Sequence, residues 1–181
     1  MKILICWLML LNFNSGNMDL LYKSDKGEVT FVSEAPLELI EAHSLRLKGL
    51  VDPHLNTFAF SVPLLSFEGF NTTLQKEHFH ENYLESSRYP NATFKGKIIE
   101  AIDFSTPGSY NIRAKGVFNM HGVEREKIIR CSIEIDDSGI VVHSEFEILI
   151  AEYNIKIPKI VNQKIASNIK VTVDLNLIEN Q

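Results

Sequence analysis

The sequence predicts an all-β chain folded as an antiparallel, lipocalin-like barrel of eight strands, with one or two short helical segments. Three observations carry this. Apolar and polar residues alternate with period two through most of the chain, the mark of strands with one buried face. Short turn sequences separate the alternating runs. A single stretch, 71–86, abandons alternation for helical spacing.

The first strands fit Gly27 to Ser33 and Ser44 to Val51. Phe58-Ala59-Phe60-Ser61-Val62-Pro63-Leu64 follows, with Pro63 suggesting an edge or bulge because it brings no N–H to a ladder. From Asn71 to Ser86, Leu74, His78 or Phe79, and Asn82 or Tyr83 recur at helical spacing. Pro90 disfavours helix at Tyr89 and closes that segment. Ala92 to Asp103 is the next strand. Ile112, Ala114, Gly116, Phe118 and Met120 then alternate with Arg113, Lys115, Val117 and Asn119. Lys127 to Asp136 and Ile140 to Ala151 continue the series. A second helical turn fits Lys159 to Ser167, after Pro158. The last strand is the plainest: Ile169, Val171, Val173, Leu175 and Leu177 are aliphatic, and every residue between them is polar.

Ser105-Thr106-Pro107-Gly108-Ser109 and Asp136-Asp137-Ser138-Gly139 read as hairpin connections, and His121-Gly122 as a third. Consecutive hairpins make a meander, and about eight such strands close on themselves because closure removes exposed edges.

A chain of 181 residues with 45% hydrophobic and 23% charged content fits one globular domain. The net charge of -5 repels phosphate backbones and anionic headgroups, and no basic run offsets it. Nucleic acid is therefore excluded as a partner. Lys2 followed by the apolar run Ile3 to Leu11 and polar Asn12, Asn14, Ser15 and Gly16 matches a secretory signal. That run is too short to span a bilayer, so stable membrane insertion is not expected. The expected organisation is a signal peptide at 1–16 and a barrel domain at 17–181, periplasmic or secreted. Once Cys6 leaves with the signal, Cys131 has no disulfide partner and reads as an inert thiol on an apolar face.

An eight-stranded barrel is either filled by side chains or holds one small ligand. Two rows mix bulky with very small residues: Ala92, Phe94, Gly96, Ile98, and Ile112, Ala114, Gly116, Phe118. Small residues on adjacent strands would leave a space walled by aromatics. Alternatively, Gly96 and Gly116 mark bends where the sheet coils. The expected tunnel lining is Phe58, Phe60, Val62, Phe94, Gly96, Ile98, Ile112, Gly116, Phe118, Met120, Phe146 and Ile148. On this reading, Phe at position 96 or 116 fills the tunnel without harming the fold.

Three passages together resemble one family. The first runs from Ser66-Phe67 through Leu74-Gln75-Lys76-Glu77-His78-Phe79-His80-Glu81-Asn82-Tyr83 to Tyr89-Pro90-Asn91-Ala92-Thr93-Phe94-Lys95-Gly96. Gly116 to Arg125 resembles a G-x-L-x-x-x-G-x-x-R hairpin, and Phe146 to Pro158 resembles a late strand and turn. In this order, across Gly27 to Leu177, the chain resembles the YceI family. The resemblance implies an extended lipocalin-like barrel with a long apolar pore, in periplasmic or secreted proteins. Several members carry a polyisoprenoid such as an isoprenoid quinone or isoprenyl phosphate. Ala151-Glu152-Tyr153 and His80 depart from the family pattern, so no head-group contact is carried over.

The competing chemistry is a metal site. His78 and His80, flanked by Glu77 and Glu81, would share a face in a strand and could chelate zinc or copper. On a helix they point about 200° apart, leaving only His78 with Glu81 or Asn82 to cooperate. No nucleophile elbow, H-E-x-x-H, Cys-His motif or phosphate loop is present in the sequence. The expectation is a non-enzymatic monomer or homodimer that needs no cofactor and sequesters an apolar small molecule. The alternatives are a metal protein or metal-dependent enzyme using the His78/His80 region, and a filled secreted interaction barrel.

Overall fold

The computed structural model describes residues 21–180. The signal segment expected at 1–16 lies outside the described residues. Eight strands make one closed sheet. They are β1 (Tyr22–Glu34), β2 (Leu39–Asp52), β3 (Thr57–Pro63), β4 (Asn91–Ile98), β5 (Gly108–Met120), β6 (Val123–Asp136), β7 (Gly139–Leu149) and β8 (Asn168–Glu179). Each pairs antiparallel with the next, and β8 closes on β1 through pairs such as Phe31–Val171. The helix α1 (Thr73–His78) lies between β3 and β4, is capped by the Thr72 hydroxyl accepting from Gln75 N–H at 3.1 Å, and runs into a π-helical turn at Phe79–Tyr83. No described helix is long and apolar enough to cross a membrane.

The strands begin and end differently from their sequence pattern in places, for visible reasons. β1 extends back to Tyr22, but two register shifts around Gly27 interrupt the alternation there. A Cβ on Gly27 would sit 2.1 Å from Leu175 Cδ1, so the glycine admits that leucine into the barrel. β4 stops at Ile98, not Asp103. Glu100 turns out of the sheet to accept from Arg113 N–H at 2.6 Å and from its Nε at 2.7 Å. Those bonds hold its carboxyl below the usual carboxylate range. His121 and Gly122 both take positive φ, 52° and 72°, as a two-residue hairpin of matching twist requires. Pro63 closes β3 opposite Asn91, and a closed barrel gives it no edge to occupy.

Up-and-down connectivity sends alternate connections to opposite ends. The β1–β2, β3–β4, β5–β6 and β7–β8 connections share one end, with α1 among them. At the other end the barrel is filled. Val51, Phe58, Ile98, Ile112, Ile140 and Leu177 are buried there, joined by Phe104 from the β4–β5 loop. The end that carries α1 is different.

Candidate functional site

Beneath the α1 end lies a cavity of about 500 Å³. Its wall is built from alternate, inward positions of the strands. Phe60 and Val62 come from β3, Phe94 from β4, Phe118 and Met120 from β5, and Phe146 and Ile148 from β7. All seven belong to the expected lining. Ala92 and Ala114 also face this space, and their short side chains leave part of it open.

The remaining five expected positions do not line it. Phe58, Ile98 and Ile112 point inward but lie in the filled end. Phe58 packs on Phe94 with ring centroids 4.9 Å apart, which closes the barrel at that level. Gly96 and Gly116 are directly paired across β4 and β5. A Cβ on Gly96 would lie 2.1 Å from the Lys115 carbonyl oxygen, and one on Gly116 would lie 2.3 Å from that of Lys95. These glycines bring two backbones together and open no space, so a bulky residue there would push the strands apart.

Sequence reasoning missed the roof. Phe31 of β1, Phe67 and Phe70 of the β3–β4 connection, and Phe79 after α1 form an aromatic cluster over the cavity. Phe31 and Phe79 stack with centroids 5.2 Å apart and planes at 11°. The connection is tied down by paired backbone bonds between His43 and Glu68, both at 2.8 Å, and by the 2.6 Å Ser44–Ser66 hydroxyl contact. The phenylalanines sit in irregular chain, where no period marks an inward face. The one local signal was Phe67 and Phe79 within the passage that resembles the family.

Polar groups gather at the rim. Gln75 Nε2 donates to Glu38 Oε1, and Lys164 Nζ stands 4.0 Å from Glu38 Oε2. Ser33 accepts from Ala166 N–H at 2.9 Å, which fixes the β7–β8 connection against β1. The ionisable groups that line the cavity are Glu38, His78, Tyr83, Cys131 and Lys164. Burial pushes the Cys131 thiol and the Tyr83 phenol up, so both are uncharged near neutral pH. The interior is therefore an apolar, uncharged wall beneath a polar mouth, and it can take up an apolar chain while leaving a polar end in water.

The two helical histidines part company. His78 lines the cavity, whereas His80 turns to Ser86, with Nδ1 3.2 Å from the hydroxyl. Burial, then Lys76, lowers the His80 pKa and favours the neutral ring. Among the described residues, no three His, Cys, Asp or Glu side chains converge as a metal-ligand set.

The sequence profile of the YceI-like domain matches residues 22–177, from the first strand to the last. The chain belongs to the YceI-like family. Solved structures agree with a YceI-like barrel. A polyisoprenoid-binding domain from Saccharophagus degradans, implicated in plant cell wall breakdown, superposes with a TM-score of 0.75 at 15% identity, covering 88% of this chain and 98% of that one. BcnA of Burkholderia cenocepacia gives 0.67 at 15% identity over 86% and 96% of the two chains. The YceI protein of Campylobacter jejuni gives 0.55 at 13% identity over 72% and 78%. At these identities the likeness is one of fold. No curated protein sequence matches.

Proposed function

We propose that this YceI-like barrel binds and sequesters an amphiphilic lipid with an isoprenoid tail, such as an isoprenoid quinone or isoprenyl phosphate, without catalysis. The observation that carries the reading is the hollow, uncharged, roughly 500 Å³ interior under a polar rim. Burying one methylene is worth about 0.8 kcal/mol, so an apolar tail gains strongly from such a space. Family membership and the polyisoprenoid-binding relative support the same class of ligand. The cargo enters tail first between α1 and the β7–β8 connection, and its head group stays near Glu38, Gln75 and Lys164. The protein works outside the cytoplasm, periplasmic or secreted after export on the leader at 1–16, as a monomer or homodimer.

Titration with the apolar fluorophore N-phenyl-1-naphthylamine tests this. The expected result is saturable fluorescence enhancement at one site per chain, reversed by farnesol. Absence of enhancement, or enhancement that farnesol leaves unchanged, would refute the carrier reading.

A further inference from the structure

The mouth of the cavity is edged by apolar side chains that the barrel itself leaves uncovered. On the β7–β8 connection, a single 3-10 turn at Lys159–Val161 sends Val161 to the cavity wall and leaves its neighbour Ile160 91% exposed. Leu37 of the β1–β2 connection is 66% exposed. Its N–H donates to the Gln163 carbonyl at 2.9 Å, which holds the two connections side by side. Leu74 of α1, across the mouth, lines the cavity and is 58% exposed. Apolar surface therefore continues from the rim into the lumen, and an exposed apolar patch rimmed by polar groups marks a contact surface.

The β7–β8 side of that rim is cationic. Between Tyr153 and Val173 the chain carries Lys156, Lys159, Lys164 and Lys170 and no acidic residue. Lys156 and Lys159 are exposed and form no ion pair among the described residues. The acids beside them are engaged: Glu34 holds Lys170 at 3.0 Å, and Glu38 accepts from Gln75 and stands 4.0 Å from Lys164. Glu77 and Glu81 are exposed on the opposite, α1 side, so the positive charge is confined to one side of the mouth. Aliphatic side chains flanked by lysines match a bilayer surface with anionic head groups. The aliphatic groups sink about 5–10 Å into the head-group boundary while the ammonium groups meet phosphate.

We propose that the β7–β8 side of the mouth docks on an anionic lipid surface, with Ile160 and Leu37 entering the interface and Lys156, Lys159 and Lys164 on its phosphates. The contact is peripheral and reversible. The net charge of -5 opposes it at a distance, but salt screens remote charges beyond about 8 Å, whereas the rim lysines touch the surface. Docking sets the open end of the cavity against the bilayer, so an apolar tail passes between the two without crossing water. That transfer rests on the carrier reading; the docking rests on the exposed residues alone.

Flotation with lipid vesicles tests the docking, on protein recovered after export. At low salt, vesicles of phosphatidylethanolamine with phosphatidylglycerol are expected to carry the chain, and vesicles of phosphatidylcholine alone are not. Each lysine near an anionic surface strengthens binding about five-fold, so the double variant Lys156→Glu, Lys159→Glu should weaken it by at least about 25-fold. Ile160→Ser should weaken it about ten-fold. None of these three residues lines the cavity, so without vesicles the variants should bind N-phenyl-1-naphthylamine as the parent does. Parent protein that floats with neither kind of vesicle overturns the docking, and so does flotation that the variants retain. Equal flotation with phosphatidylcholine overturns the role of the lysines. Dimerisation of the parent in analytical ultracentrifugation that Ile160→Ser abolishes would assign the patch to a second copy and overturn the inference. Flotation without any binding of the fluorophore would refute the carrier reading and leave the docking standing.

Discussion

Ala92 and Gly116 both supply small side chains to the inward rows of adjacent strands, yet substitutions at them should have opposite consequences. Ala92 faces open cavity. Ala92→Leu adds three carbons, about 90 Å³ at about 30 Å³ each, to a space of about 500 Å³. It should displace about three methylenes of ligand, worth about 2.4 kcal/mol, or about 60-fold in affinity for farnesol. The melting temperature of the free protein should hold or rise. Gly116→Ala adds one carbon that would lie 2.3 Å from the Lys95 carbonyl oxygen, in backbone that cannot rotate away. Overpacking of this kind costs about 1–3 kcal/mol, a drop of about 2–4 °C per kcal/mol in a chain of this size. The folded fraction should bind farnesol with unchanged affinity. The assay is paired: thermal melts of the free variants, and isothermal calorimetry with farnesol on the folded protein. Gly116→Ala that melts normally but loses binding would refute the assignment of that glycine to close backbone approach. Ala92→Leu that keeps full affinity would refute its place on the cavity wall.

Tyr153 is fully buried and its hydroxyl meets no hydrogen-bond partner among the described residues, while burial, followed by Glu152, pushes its pKa up to about 12. Tyr153→Phe should therefore leave stability unchanged or raise it by about 1 kcal/mol in urea denaturation, and a loss of more than about 1 kcal/mol would contradict this. The hydrogen bond from His143 Nδ1 to Asp174, at 2.7 Å across β7 and β8, raises the histidine pKa above its ordinary 6.5. A raised folded-state pKa means the contribution is complete below about pH 6.5 and fades as pH rises through the higher folded value. The stability difference between the parent and His143→Gln should thus be larger at about pH 5 than at about pH 9. Equal differences at both would refute the pairing, and salt should shrink the effect because the pair is exposed. Cys131 lines the cavity with its thiol pushed up by burial, so alkylation by N-ethylmaleimide should be slow and slower still with farnesol bound. Equal rates with and without farnesol would place the ligand elsewhere.

The barrel was legible because one face of each strand is buried and the other wet. β8 shows this residue by residue: Val171, Leu175 and Leu177 are buried, while Lys170, Asp174 and Asn176 are exposed. Alternation identifies an inward residue but not its height along the axis. That is why Phe58 and Phe60, two residues apart on one face, fell into the same expected set although only Phe60 reaches the cavity. Glycine was ambiguous for a related reason. Gly96 has the same appearance in sequence whether it opens a lumen or touches a partner strand, and only the register that sets it against Gly116 decides. The aromatic roof of Phe31, Phe67, Phe70 and Phe79 depends on a long connection folding back over the barrel mouth, which no local period encodes.

The central claim is that the hollow end of the barrel carries an apolar tail, and native mass spectrometry of protein purified gently from its own host tests it most directly. Organic extraction of the same sample would identify whatever accompanies the chain. The account predicts a non-covalent hydrophobic adduct, one per chain, that is lost in Ala92→Leu and kept in the folded fraction of Gly116→Ala. Protein that emerges without any such adduct, and that retains only a metal ion, would contradict it.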